Sequence, residues 1–410
     1  MKLNATVAGV GMTRFTKHPD KGLKELGREA IEKAVADAGV TLADLQAAYV
    51  GNCAAGLVTG QESVRGQVIL HPMGVGKIPI INVENACASG STALLQACVM
   101  VSTGIYDTVL ALGVEKLTHP DKMKSFAAFA GAMDIDELNE MLADLAKQSS
   151  GEGGGAGQNR SMFMDVYAMA ARAHMERYGT TKEQFAMVAA KNSFHGSMNP
   201  RAQFRDVMTV EQVLADRLII EPLTRSMCSP IGDGAAAAVI VSERKARELG
   251  ISKPVRVVTS VMHSGWNRRD DEPDTVELCA REAYEEAGIG PKDVSVIELH
   301  DASAIGELLA CESLGLCRKG ESGKLIDEGT TKLGGRVPVN TSGGLLRKGH
   351  PVGATGAAQL CELTLQLQGR ADARQVEGAR IAMAHNAGGS LGNDAAAAVV
   401  TILQRESLQS

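Results

Sequence analysis

The feature that most constrains this chain is that it contains itself twice. Glu29-Ala30-Ile31-Glu32-Lys33-Ala34-Val35-Ala36-Asp37-Ala38-Gly39 matches in pattern Arg281-Glu282-Ala283-Tyr284-Glu285-Glu286-Ala287-Gly288. Each stretch is followed by an acidic turn and a strand-like run, Tyr49-Val50-Gly51 and Val296-Ile297-Glu298-Leu299. Gly232-Asp233-Gly234 and the alanine-rich run after it match Gly392-Asn393-Asp394 and its own alanine run. A repeat on this scale means two supersecondary units of one design. Gly288 stands 249 residues after Gly39, but Gly392 stands only 160 after Gly232, so the first copy carries roughly 89 extra residues.

Each copy alternates strands with helices, the pattern of a mostly parallel sheet covered on both faces. Ala5–Val10, Ala47–Asn52 and Thr108–Val114 read as strands. Leu23, Leu26, Ala30, Ile31, Ala34 and Val35 share one face of a helix that Gly39 ends. Gln61–Leu70 reads as a further helix, and Leu42–Leu45 as a short helical turn. From Lys116 to about Ser226 the texture changes. Methionine-rich helical patches, a glycine-rich break at Ser150–Gly157 and a long helix from Met162 read as an inserted loop domain. The expected division is 1–115 plus 227–250 for the first half, 116–226 for the insertion and 251–410 for the second half. Met123, Met133, Met141, Met162, Met164 and Met169 are candidate pocket lining or plain core filling.

Parallel sheets place their sites at the carboxyl ends of strands. Four segments fall at such positions. In Asn85-Ala86-Cys87-Ala88-Ser89-Gly90, a cysteine follows the strand-like Ile78–Ile81 and opens a helix. Free N–H groups and the positive dipole end there favour a thiolate, and the small neighbours leave the sulfur reachable. The second segment is Glu298-Leu299-His300-Asp301-Ala302-Ser303. The third runs from Asn340 through Gly349-His350-Pro351-Val352-Gly353-Ala354-Thr355-Gly356, and the fourth is Ala384-His385-Asn386-Ala387-Gly388-Gly389. His350 suits a base to a thiol, and the Asn386–Gly389 turn offers N–H groups to an oxyanion. The same residue types also suit plain structure: Cys87 as one more buried thiol, His350 as a turn cap, Asn386–Gly389 as an ordinary turn.

A formal charge of −6 and only 3% aromatic residues argue against a nucleic-acid binder. The eight cysteines are scattered, with no CxxC pair and no zinc-ligand spacing, which fits a reduced, cytoplasmic setting. The first nine residues read as the approach to a first strand and not as a signal peptide, and no apolar run approaches the roughly 20 residues of a bilayer span. No phosphate-loop, nicotinamide or metal signature is present.

Taken together, Asn85–Gly90, Cys228-Ser229-Pro230-Ile231-Gly232-Asp233-Gly234-Ala235, His300-Asp301-Ala302 and Gly349–Gly356 resemble the thiolase superfamily. They are closest to its sterol-carrier-protein-2-type and acetyl-CoA acetyltransferase-like branch. The resemblance covers essentially the whole chain. It implies a thiolase fold, two α/β halves in five α-β-α-β-α layers, with a loop domain inserted in the first. It implies a coenzyme A thioester as substrate, coenzyme A as co-substrate and no permanently bound cofactor. Cys87 would be acylated, and His350 would activate it. His300 would stand where many thiolases carry an asparagine. The N–H groups of Cys87 and Gly388 would form an oxyanion hole. Many thiolases carry a second, acid/base cysteine. Its two family positions are Asn386 and Ala302 here, which leaves His300, His385 or His350 to move that proton. The implied activity is thiolysis of a 3-oxoacyl-CoA or the reverse Claisen condensation, on a branched, aromatic or sterol-derived acyl group. The alternatives are a retro-aldol lyase on a CoA ester and a non-catalytic acyl-CoA or lipid binder. The implied partners are further copies in a homodimer or homotetramer and a small zinc-ribbon/OB-fold subunit.

Overall fold

A computed structural model describes residues 3–138, 160–269 and 271–406. Met141 and the Ser150–Gly157 break lie outside the described residues.

The two copies form the two halves of one nine-stranded mixed sheet. In chain order the strands are β1 (Ala5–Met12), β2 (Ala47–Gly51), β3 (Ile80–Val83), β4 (Thr108–Glu115), the ribbon pair β5 (Leu218–Ile220) and β6 (Leu223–Thr224), β7 (Gly234–Ser242), β8 (Val255–Ser264), β9 (Val296–Glu298), β10 (Ile381–Gly388) and β11 (Ala397–Arg405). The sheet order is β3-β2-β4-β7-β1-β8-β11-β10-β9. Read outward from the centre, β1-β7-β4-β2 repeats as β8-β11-β10-β9. The counterpart of β3 is reduced to a parallel bridge between Ile297 and Val339. Within the sheet, the described strands of the two halves pair where Ala5–Val7 of β1 meets Val255–Val257 of β8.

Helices α1 (Leu23–Ala38), α2 (Ser89–Ser102), α3 (Met162–Tyr178), α4 (Lys182–Ser197), α5 (Thr275–Ala287), α6 (Ala304–Ser313) and α7 (Thr355–Gln368) complete the frame. The side-chain alternation of β7 shows how the layers arise. Ala235, Ala237, Val239 and Val241 pack with Leu26, Ile31 and Ala34 of α1. Ala236, Ala238 and Ile240 face the other way, onto Leu94 and Ala97 of α2 and Ala357 and Leu360 of α7. In the second half, Ala398, Val400 and Ile402 pack with Cys279, Ala280 and Ala283 of α5. The order is therefore α1, sheet half, α2 with α7, sheet half, α5: the five layers expected. Being enclosed on all sides, α7 has all fourteen residues buried.

One sequence expectation fails here. Gln61–Leu70 is not a single helix. Helix Ala55–Thr59 ends at Gly60, and a second begins only at Arg65, after Val64 turns to a left-handed φ of 52°. A β-branched residue seldom takes that conformation, so nothing in the sequence announced the break.

Candidate active site

Cys87 lies in a 3-10 turn, Ala86–Ala88, between β3 and α2. Ala86 has φ 46°, a strained value for a residue with a Cβ. Ser89 ties the turn down, its hydroxyl donating to Ala86 O at 2.6 Å and accepting from Asn85 N–H at 3.0 Å. The α2 and α7 N-termini meet so closely that side chains would not fit. A Cβ on Gly356 would sit 2.0 Å from Ser91 Oγ, and one on Gly90 2.7 Å from Gly353 O. This contact brings the loop carrying His350 up to Cys87. The Cys87 Sγ and one ring nitrogen each of His300 and His350 lie within 4.8 Å of one another. The two imidazoles meet edge to face, centroids 5.2 Å apart.

His350 Nδ1 is 2.7 Å from Thr355 Oγ1, whose hydroxyl donates to Pro351 O at 3.3 Å. The hydroxyl oxygen therefore accepts, Nδ1 carries the proton, and Nε2 is left as a lone pair; this tautomer is assigned from the network. Replacing Thr355 with the isosteric Val removes that constraint. Any reaction of the Cys87 sulfur that uses His350 as its base is then expected to slow by about ten- to a hundred-fold, less than the ~10⁴ lost when a triad aspartate is removed. Stopped-flow kinetics beside a reagent that draws only on the free thiolate checks the split.

Burial sets the electrostatics. It holds His350 well below the ordinary imidazole range, helped by His300 and the Lys348 charge. It lowers His300 to about 3, with His385 contributing, and His385 to about 4. All three arrive neutral. The expectation of a ready thiolate at Cys87 is overturned. N–H groups of Gly389 and of Cys87 itself face the sulfur and favour the anion, but burial outweighs them and raises the thiol to about 12. Cys87 is half-buried and still faces the cavity. A helix start alone does not make a thiolate when the surroundings are dry.

Strand alternation sorts the fourth segment. His385 and Ala387 line the cavity, whereas Asn386 points to the central helices and donates to Cys87 O at 2.8 Å. The sequence reading places Asn386 with the oxyanion and substrate-binding groups; its side chain is instead a brace behind Cys87. A Cβ on Gly388 would be 2.1 Å from Asn85 O and 2.7 Å from Ala88 N, so a glycine here lets β10 pass the turn that carries Cys87. The Gly389 N–H, next along the strand end, faces the sulfur. His385 Nδ1 accepts from His300 N–H at 3.4 Å, and neither His385 Nε2 nor His300 Nε2 has a partner among the described residues.

A buried polar layer that the sequence did not reveal holds these loops. Asp301 accepts from Leu345 N–H and Asn192 Nδ2, both at 2.7 Å. Asn340 Oδ1 accepts from Leu299 N–H at 2.9 Å, and Lys191 is paired with Glu307. Glu115, raised to about 6 by burial, accepts from Cys53 and Ala54 N–H (both 3.1 Å) and from Gly353 N–H (3.0 Å), which joins the two halves. The cavity above is about 1,620 Å³. Of the expected methionines, Met164 and Met169 line it, Met123 is exposed, and Met133 bridges Ser390. Phe126, Phe129 and Phe163 supply lining that the sequence did not single out.

Fold and site together define a class: a duplicated α/β protein whose facing helix starts bring a cysteine thiol beside a neutral histidine. A family model described as the thiolase N-terminal domain matches residues 5–244, and one described as thiolase C-terminal domain-like matches 260–405. The chain belongs to the thiolase family, and so to the acyltransferases. It is 41% identical to acetyl-CoA acetyltransferase of Methanothermobacter thermautotrophicus, over 96% of this chain and 98% of that one. It is 38% identical to sterol carrier protein 2 of Rattus norvegicus, over 97% of this chain and 71% of that one, in keeping with the branch expected. Among solved structures, an Ltp2-ChsH2(DUF35) aldolase superposes with a TM-score of 0.80 at 24% identity, covering 99% of both chains, which shows the shared fold. No described helix is long and apolar enough to cross a membrane.

Proposed function

We propose that the chain is an acyl-CoA C-acyltransferase that cleaves a 3-oxoacyl-CoA with coenzyme A, or runs the reverse condensation, through an acyl-Cys87 intermediate. The observation that carries this is the cluster of Cys87 Sγ, His300 and His350 within 4.8 Å, with His350 Nδ1 spent on Thr355. The Cys87 proton passes to His350 Nε2 as the sulfur attacks the 3-oxo carbon. To His300 Nε2 and to the amides of Cys87 and Gly389 this reading gives the oxyanions of the two half-reactions. The C2–C3 bond breaks, and the acetyl-CoA fragment leaves as an enolate that takes a proton at C2. Coenzyme A then attacks the acyl-Cys87 carbonyl, and the sulfur recovers its proton from His350.

The cavity exceeds the usual ~300–1,000 Å³ of a ligand pocket and leaves room for a branched, aromatic or sterol-derived acyl group beside the coenzyme. A homodimer or homotetramer and a small zinc-ribbon/OB-fold subunit belong to the same reading. It is supported by the outer edge of β3, which pairs with no further described strand, and by the two-component aldolase above. The retained Cys87 and its base favour acyl transfer over lyase or binding-only readings. Intact-protein mass spectrometry after brief mixing with a panel of acyl-CoA and 3-oxoacyl-CoA esters tests it. One acyl mass added per chain is expected. No adduct from any ester that binds overturns the reading.

A further inference from the structure

The reaction above needs a proton for the leaving carbanion, and both family positions for a second cysteine hold other residues, Asn386 and Ala302. The three histidines beside Cys87 are poor sources. His350 holds the Cys87 proton at that moment and owes it back to the sulfur, and His300 and His385 are neutral, so the one proton each carries is a ring N–H, whose loss makes an imidazolate. Two other cysteines line the cavity, but their thiols are engaged: Cys53 meets the Glu84 carboxylate, and Cys228 Sγ donates to Thr224 O at 3.4 Å.

A phenol remains. Tyr167 lies on α3, one turn after Met164 and one before Ala171, at the edge of the helix face that packs on Ala304, Ile305 and Leu308 of α6. Its ring covers the turn that carries His300. The Cβ position of Gly306 is 3.6 Å from Tyr167 Cε1, 3.5 Å from His300 O and 3.6 Å from Asp301 Cα. The side chain lines the same cavity as Cys87, His300 and His385. Its hydroxyl has no hydrogen-bond partner among the described residues.

From this placement we infer that Tyr167 is the acid/base of the carbon–carbon step: its hydroxyl protonates C2 of the departing acetyl-CoA enolate. This rests on the acyl-Cys87 reading. As the C2–C3 electron pair moves to the fragment, the Tyr167 O–H bond breaks, its proton goes to C2, and acetyl-CoA leaves. The phenolate is then reprotonated from solvent, and coenzyme A gives its thiol proton to solvent as its sulfur attacks acyl-Cys87, so Tyr167 takes no part in the acyl transfer. The cycle closes with every proton returned and no oxidant or further reagent. A phenol, with an ordinary pKa of about 10, is a far better acid than a neutral imidazole N–H. Burial pushes Tyr167 upward and keeps the hydroxyl protonated until the carbanion forms. In the condensation direction the same oxygen, as phenolate, removes the C2 proton.

The test compares two half-reactions in the full-length Tyr167→Phe variant. Acylation of Cys87 by a simple acyl-CoA breaks no carbon–carbon bond and needs no proton at C2. It is expected to stay within about threefold of the unsubstituted protein, which also shows that the variant is folded. Thiolysis of a 3-oxoacyl-CoA is expected to fall by about a hundredfold or more, the usual worth of a positioned acid. Thiolysis at the original rate overturns the assignment. So does a parallel fall in both half-reactions, which would place Tyr167 in the service of Cys87 and not of the carbanion. If the unsubstituted protein takes up no acyl group from any ester, it is the acyl-Cys87 reading that has failed.

Discussion

A Cys87→Ala variant is expected to take up no acyl group from any CoA ester and to lose at least about 10⁴-fold in thiolysis, because the proposed covalent route vanishes with the sulfur. Alanine adds no atom to the turn, and Ser89, Asn85 and Asn386 still hold it, so the variant folds. His350→Ala loses about 10²–10⁴-fold and leaves the sulfur in place. The pH behaviour separates this site from an ordinary activated thiol. With the thiol at about 12 and His350 well below its usual range, both partners stay neutral across the neutral pH range. Thiolate appears only as the proton moves to His350 during attack. Acylation by substrate is therefore expected to be nearly flat from about pH 6 to pH 9. Alkylation by iodoacetamide, which draws on the free thiolate, should climb about tenfold per pH unit with no plateau below pH 9. A plateau near pH 7 would mean that the amides of Cys87 and Gly389 outweigh burial.

How much of this was legible beforehand depended on whether the signal was local. The repeat was legible because each half reuses the same parts. An amphipathic helix is closed by a glycine at left-handed φ, Gly39 in one half and Gly288 in the other, and an alanine-rich strand fits between helix layers. The place of Cys87 was legible because a strand, small residues and a helix start follow in sequence. The sign of its pKa shift was not, since it depends on how much protein the other half lays over the sulfur. Asn386 went wrong for a related reason. A strand residue faces one side or the other according to its register against β9 and β11, and a tight-turn reading of Asn386–Gly389 has no register. Tyr167 had no local mark, being one of three aromatics on a helix rich in methionine and alanine. It acquires its meaning from the His300 turn, more than 130 residues away in the sequence.

Lys348→Met is expected to destabilise the protein by about 3–5 kcal/mol, the cost of leaving one partner of a buried ion pair alone. Lys348 Nζ is 3.3 Å from Glu298 Oε2, and each side chain is only 1% exposed. Glu298 closes β9, immediately before the loop that carries His300, and Lys348 precedes His350 by two residues, so this pair stitches together the loops of two site histidines. Hydrogen bonds to Glu298 from Ser342 N–H at 2.9 Å and from the Ser342 and Thr341 hydroxyls remain in the variant, but none carries charge. Urea unfolding monitored by circular dichroism should show a lower midpoint with an unchanged slope. The double variant Lys348→Met/Glu298→Gln should regain most of the loss, because no buried charge is then left unpaired. The same substitution reaches the chemistry. The Lys348 ammonium is one of the influences that keep His350 neutral, so its removal raises the His350 pKa and favours a resting thiolate–imidazolium pair. Alkylation of Cys87 near neutral pH should therefore quicken in Lys348→Met even as the fold weakens. A purely structural role would lower stability and leave the pH profile of alkylation where it was.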